Sequence, residues 1–234
     1  MKNLWMLVVY LLFAPVWAAN LPLPAGLVDL RSPQGQQFFL ESSARAAFWP
    51  LSAQFVTQET QSYCGVASLV MVLNNLPVAT PVAPPYAPFK LFTQENLLNH
   101  GTDGILSRDW LPHHGMTLDQ LGALAQHFGA KVTVVHATND GLAAFRGAAR
   151  QALATPGQYV VVNFERLALQ EVGYGHISPL AAYDAKTDRF LVLDVARYKY
   201  PPFWVRAVDL YAALNTRDPS NANATRGYVI MGAP

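Results

Sequence analysis

A chain of 234 residues that is 52% apolar and only 13% charged, with a formal net charge of +1, is long enough to bury a sizeable core and too apolar to stay unfolded. No basic block or acidic tail runs along it, which excludes nucleic acid as an expected partner. Its single cysteine, Cys64, leaves no internal disulfide, so stability must come from the core.

The first residues stand apart. Lys2 is followed by the apolar run Leu4 to Phe13 and then by Val16-Trp17-Ala18. A basic start, a short apolar stretch and a small-residue cleavage site read as a signal peptide over 1–19. The run is short for a membrane span, although an uncleaved anchor is the rival reading. The expectation is an exported protein, periplasmic or secreted, free of the membrane once residues 1–19 are removed.

Residues 19–31 read as an extended arm. Ser32-Pro33 opens a helix that would continue through 34–47 and bury Phe38, Phe39 and Leu40. A second, strongly apolar helix runs from Cys64 to Asn75, stopped by Pro77. Five prolines between 77 and 90 make a surface loop, and short helices are expected over 93–113. Thr117 and Gln120 form a capping box for a helix through His127, closed by Gly129. Lys131 to His136 alternates as a strand, and Asn139 is placed to cap a helix reaching Ala154.

From there the pattern turns to strands. Tyr159–Phe164, Ile177–Tyr183 and Arg189–Val195 are expected, the last two joined by a turn over Asp184–Asp188. Trp204-Val205 is short and extended, Asp209–Asn215 helical, and Tyr228–Met231 a final strand. Helices in the first part and an antiparallel sheet in the second give an α+β fold, with the Cys64 helix packed on the sheet.

Cys64 sits where a loop meets the start of a helix. The helix dipole and free N–H groups there favour an anion, which predicts a lowered thiol pKa. Gly65 and Ala67 are small and are expected to let a substrate reach the sulfur. Gln58, six residues upstream, offers an amide that could join the Cys64 backbone N–H as an oxyanion hole. The bland reading of Cys64 is a buried small hydrophobe; the Gln-x5-Cys-Gly-x-Ala context favours a nucleophile.

A nucleophilic thiol needs a base. His176, in Gly173-Tyr174-Gly175-His176-Ile177, opens an apolar strand after a glycine-rich approach. The other histidines, at 100, 113, 114, 127 and 136, are weaker candidates. Asp194 closes the apolar run Phe190–Leu193 and needs a partner. The hairpin would bring it beside His176 to orient the ring; an ion pair with Arg197 or Lys199 is the alternative.

At these residues the sequence resembles the phytochelatin synthase family, which has a papain-like cysteine peptidase fold. The resemblance is carried by Tyr63-Cys64-Gly65-Val66-Ala67-Ser68 through Asn74, by Gly175-His176-Ile177-Ser178-Pro179 through Tyr183, and by Leu193-Asp194 through Pro202. Trp204-Val205 and Thr225-Arg226-Gly227-Tyr228 complete it. It holds in order over about residues 30–232 and implies a catalytic domain over 20–234. The implied activity is that of a glutathione γ-glutamylcysteinyltransferase. Cys64 would attack the Cys–Gly carbonyl of glutathione, glycine would leave, and the γ-glutamylcysteinyl thioester would pass to water or to a second glutathione. Asn163, Gly175 and Arg226 would hold the substrate, and Arg197 and Lys199 a second one.

The sequence holds no CxxC, no His/Cys cluster and no HExxH, so no protein-bound metal or cofactor is expected. Cadmium and similar ions would act through metal–glutathione thiolates, in the setting of metal detoxification. Plant members carry a further cysteine-rich region, so the chain resembles the short bacterial type, in which hydrolysis is expected to dominate. The rivals are a papain-like leader-peptide peptidase and an inactive exported binder of glutathione or metal thiolates. The sequence leaves room for a homodimer.

Overall fold

The structure is a computed structural model that describes residues 20–234; the signal-peptide and anchor readings of 1–19 lie outside the described residues. No described helix is long and apolar enough to cross a membrane.

The arm is not wholly irregular: β1 (Val28–Asp29) adds a short edge strand. Helix α1 (Pro33–Glu41) starts as its sequence predicts, with the Ser32 hydroxyl accepting from the Gly35 N–H at 3.0 Å. It stops before residue 47. Ser42 turns to extended backbone and its hydroxyl donates to the Phe38 carbonyl at 2.7 Å, closing the last turn. Only Phe38 of the expected apolar trio is buried; Phe39 is half-buried and Leu40 is exposed. The chain then forms α2 (Phe48–Ala53), a helix not anticipated. Pro50 falls in its first turn, where a missing N–H leaves no bond unmade.

Helix α3 (Cys64–Leu73) is buried along its whole length. An apolar helix of this kind, hydrophobic on every side, belongs in the middle of a core. Residues 77–90 form the expected loop, with one 3-10 turn at Pro84–Tyr86. Over 93–113 the expected short helices reduce to turns and one helical turn, α4 (Leu111–His114). Helix α5 (Leu118–His127) carries both bonds of the capping box, Gln120 N–H to the Thr117 hydroxyl and Thr117 N–H to the Gln120 amide oxygen. Strand β2 (Lys131–His136) follows. Helix α6 (Leu142–Ala154) starts after Gly141, with no side-chain cap, so Asn139 does not cap it; the Asn139 side chain instead accepts from Asn215.

The remaining strands are β3 (Tyr159–Glu165), β4 (Gly175–Asp184), β5 (Arg189–Val192), β6 (Phe203–Arg206) and β7 (Gly227–Gly232), with α7 (Ala207–Leu214) between the last two. They build one seven-stranded sheet in the order β1-β6-β5-β4-β3-β7-β2. Every pairing is antiparallel. The fold is α+β with α3 packed on β4, as the sequence leads one to expect.

The β4–β5 hairpin ends in a way that matters for the site. Strand β5 stops at Val192 rather than at 195. Pro179 lies opposite Val161 of β3, and its carbonyl takes the Leu193 N–H at 3.0 Å. A proline offers no N–H in return, so the ladder cannot extend past it. The chain departs there, at Asp194, and the Val195 N–H is taken by the Ser178 side chain at 3.2 Å.

Candidate active site

Three elements meet at one cleft. Cys64 opens α3, His176 is the second residue of β4, and Asp194 follows β5. Ser68, one turn after Cys64 on α3, binds the two main elements together. Its buried hydroxyl lies 2.8 Å from the Cys64 carbonyl and 3.2 Å from the Ile177 carbonyl of β4. A buried hydroxyl with both partners in place fixes the helix against the strand that carries the histidine.

His176 and Asp194 form a close pair, with imidazole Nε2 2.8 Å from carboxylate Oδ1. Nε2 also lies 2.8 Å from the Ser178 hydroxyl. Two lone pairs could not face each other at that distance, so Nε2 carries the proton and Nδ1 is the basic nitrogen. The Phe164 ring stands edge-on to the imidazole at 5.5 Å. Residues 176 and 178 share one face of β4 by the two-residue period of a strand, which is why Ser178 reaches the ring.

Asp194 does not pair with Arg197 or Lys199. Its second partner is Arg166, whose Nη2 lies 3.0 and 2.8 Å from the two carboxylate oxygens. Arg166 is itself buried, and its Nη1 donates to Glu171 at 2.7 Å. The guanidinium lies over the Tyr200 and Phe164 rings at 5.4 and 5.8 Å. Asp194 is fully buried, and burial alone would raise its pKa. The charges of His176 and Arg166 and their hydrogen bonds win, holding the carboxyl well below the usual range. Glu171 has only one side of that guanidinium, and desolvation pushes its pKa up to about 7.

The thiol departs from expectation. Burial raises the Cys64 pKa and outweighs the lowering by hydrogen bonds from the backbone of Ile177 and Gly65 and by the Arg166 charge. Burial likewise lowers the pKa of His176 despite Asp194. Both groups are therefore favoured neutral, and the helix start does not by itself make a thiolate. Gly65 and Ala67 do not serve as an open approach either. A Cβ on Gly65 would clash with Met116 Sδ, so the glycine makes room for Met116; Ala67 is sealed in the core.

The cleft has a volume of about 470 Å³ and is bounded by Cys64, His176, Asn163, Glu165, Gly175 and Arg226 among others. Arg226 reaches Asn163 at 3.1 Å, Glu165 at 3.2 Å and Asp218 at 3.2 Å. Its Nε and the Asn163 side-chain Nδ2 are buried without a hydrogen-bond partner among the described residues. Two orphaned donors on the wall of a cleft mark a place where a ligand acceptor fits. Gly175 is needed there, because a Cβ would stand 2.5 Å from Arg226 Nη1.

Two groups of expected residues lie elsewhere. Gln58 is buried, donates its amide to the Thr60 carbonyl at 2.6 Å and is not on the cleft wall. Arg197 packs over the Phe55 ring at 4.7 Å and lines a different depression. Lys199 Nζ sits 3.5 Å from the Val172 carbonyl. Conversely, Arg166, Glu171, Glu165, Asp218 and Ser178 were not singled out from sequence. Ser178 alone had a usable signal, its two-residue spacing from His176; the others are brought in by chain reversals that no local pattern announces.

A model of the phytochelatin synthase family matches residues 18–228. The chain belongs to the phytochelatin synthase family. Among curated relatives, "Glutathione gamma-glutamylcysteinyltransferase 1" of Lotus japonicus is 34% identical over 94% of this chain and 43% of its own length. "Glutathione gamma-glutamylcysteinyltransferase 2" of Arabidopsis thaliana is 31% identical over 94% of this chain and 48% of its own length. "Glutathione gamma-glutamylcysteinyltransferase" of Schizosaccharomyces pombe is 27% identical over 89% of this chain and 50% of its own length. The chain spans about half the length of these relatives.

Proposed function

We propose that the chain is a γ-glutamylcysteinyltransferase that releases glycine from glutathione through an acyl-enzyme on Cys64. The observation that carries this reading is the shared cleft. A thiol and an Asp194-oriented imidazole line it together with Asn163 and Arg226, whose buried donors have no partner of their own. Glutathione has a reacting carbonyl and, at its far end, a carboxylate that a guanidinium can grip.

The thiol and imidazole both rest neutral, so His176 works as a general base. Nδ1 takes the thiol proton as sulfur attacks the Cys–Gly carbonyl, and Asp194 stabilises the resulting imidazolium. The carbonyl becomes an oxyanion, for which the Cys64 backbone N–H at the start of α3 is the assigned donor. Collapse breaks the C–N bond, and His176 returns its proton to the departing glycine amine. A thioester remains on Cys64. His176 then deprotonates either water, giving γ-glutamylcysteine, or the amine of a second glutathione, giving a phytochelatin. Cadmium enters this scheme as part of a metal–thiolate substrate. Glutathione is the partner assigned, and the site of action is outside the cytoplasm.

The test is mass spectrometry of the protein incubated with glutathione, with and without cadmium. The expected result is a γ-glutamylcysteinyl adduct on Cys64 with free γ-glutamylcysteine, and longer products when cadmium is added. Unmodified protein and intact glutathione after prolonged incubation would overturn the reading.

A further inference from the structure

Glu171 lies behind the site, in the loop that joins β3 to β4, and touches nothing that a substrate could reach. It is 1% exposed. Its backbone N–H is bound to the Arg166 carbonyl at 3.0 Å. The loop around it is shaped by Gln170 in left-handed backbone and by Gly173 at φ +120°. Carboxylate Oε2 takes Arg166 Nη1 at 2.7 Å, whereas Oε1 is buried with no partner among the described residues. A buried carboxylate with one oxygen unsatisfied is a costly feature, and nothing in the reaction described above uses it.

What it does follows from the other end of Arg166. The same guanidinium spans two carboxylates, Glu171 through Nη1 and Asp194 through Nη2. Asp194 in turn holds His176 Nε2. We propose that Glu171 is a positioning residue that sets the proton affinity of the Cys64–His176 pair through Arg166. When Glu171 is ionised it neutralises part of the guanidinium charge. When it is neutral, the full charge of Arg166 bears on Asp194, His176 and Cys64.

The direction can be worked out from the groups that face this cluster. Arg166 lowers the pKa of both His176 and Cys64. Removing the Glu171 charge therefore shifts both further down. The imidazole becomes a weaker base and the thiolate forms at lower pH. Lys199 and Asp194 are the other charges that bear on Glu171, and Lys199 favours its ionised form while Asp194 opposes it. Tyr200 also faces the loop, its hydroxyl accepting from the Val172 N–H at 2.8 Å.

The catalytic meaning of this coupling rests on the reading in the preceding section, so the experiment uses a readout that does not require turnover. Iodoacetamide alkylation of Cys64 is followed against pH in the wild type and in Glu171→Gln, a neutral variant of the same shape, with Glu171→Asp as the charge-retaining comparison. The expected result is an alkylation profile displaced to lower pH by about one unit in Glu171→Gln, the effect of one unit charge acting across a low-dielectric neighbour, with Glu171→Asp close to wild type. The pH profile of glycine release should move the same way on both limbs. Superimposed alkylation profiles would overturn the proposal. A shifted alkylation profile in a protein that releases no glycine would uphold the coupling and overturn only the assigned reaction. Should Glu171→Gln not fold, carboxyl-labelled glutamate followed by NMR in the wild-type protein decides the matter. A Glu171 midpoint near neutrality with a matching step in the His176 ring shifts supports the proposal; independent midpoints overturn it.

Discussion

Arg166 holds Asp194 from behind while His176 holds it from the front, with Nη2 of the arginine at 2.8 and 3.0 Å and Nε2 of the histidine at 2.8 Å. The orienting carboxylate is thus the middle member of a buried chain of charges and not the end of a triad.

Cys64→Ala and His176→Ala should each reduce glycine release by about a thousandfold or more, since groups that act as a unit fail together. Circular dichroism and thermal melts should stay near wild type for Cys64→Ala, because the side chain is small and its removal strands no polar group. Normal turnover by Cys64→Ala would contradict the assignment.

Asp194→Asn should be damaging in two measurements. The amide can still accept from Nε2–H and orient the ring, but it leaves the buried guanidinium of Arg166 with a single carboxylate. Breaking a buried ion pair costs about 3–5 kcal/mol, so urea midpoints should fall along with kcat. An Asp194→Asn protein of wild-type stability would show that Arg166 does not depend on this residue.

Gly175→Ala should raise the KM for glutathione about tenfold with a smaller change in kcat, corresponding to loss of a charge-assisted hydrogen bond. The added methyl would meet Arg226 Nη1 at 2.5 Å and Cζ at 2.8 Å, and Arg226 is pinned by Asn163, Glu165 and Asp218. Steady-state kinetics of the variant check this, and an unchanged KM would mean that Arg226 does not face the substrate.

Glu171 should also leave a mark on stability. Its folded pKa of about 7 exceeds its ordinary value of 4.5, so the native state binds the extra proton between those values. The contribution is fully present below pH 4.5 and is lost as pH rises through about 7. Unfolding free energy should therefore fall across this window by about 3 kcal/mol from this group. Urea titrations at pH 5 and pH 7.5 should show the fall in wild type and a flatter response in Glu171→Gln.

Much of this arrangement could be read before any coordinates. The capping box at Thr117 and Gln120, the hairpin through Asp184–Asp188 and the meeting of His176 with Asp194 all follow from short-range rules that the tertiary structure does not override. Helix α1 is shorter than its sequence suggests because apolar residues continue past Ser42, while the serine hydroxyl that ends it competes for the backbone locally. The thiol differs from its sequence expectation because a helix start argues for a lowered pKa, and the burial that reverses the sign belongs to packing. Arg166 lies 28 residues from Asp194, and no period or spacing connects them.

Strands β4, β3 and β7 lie side by side; the first two carry His176 and Asn163, and Arg226 immediately precedes the third. The long side chain of Arg226 reaches back past β3, so that a Cβ on Gly175 of β4 would stand 2.5 Å from its Nη1. The anion-binding group therefore rests on the residue adjacent to the imidazole-bearing one, like a bolt drawn across two boards. How a molecule is clasped there depends on the reach of one side chain and on the bare backbone it rests against, and not on the spacing of the strands.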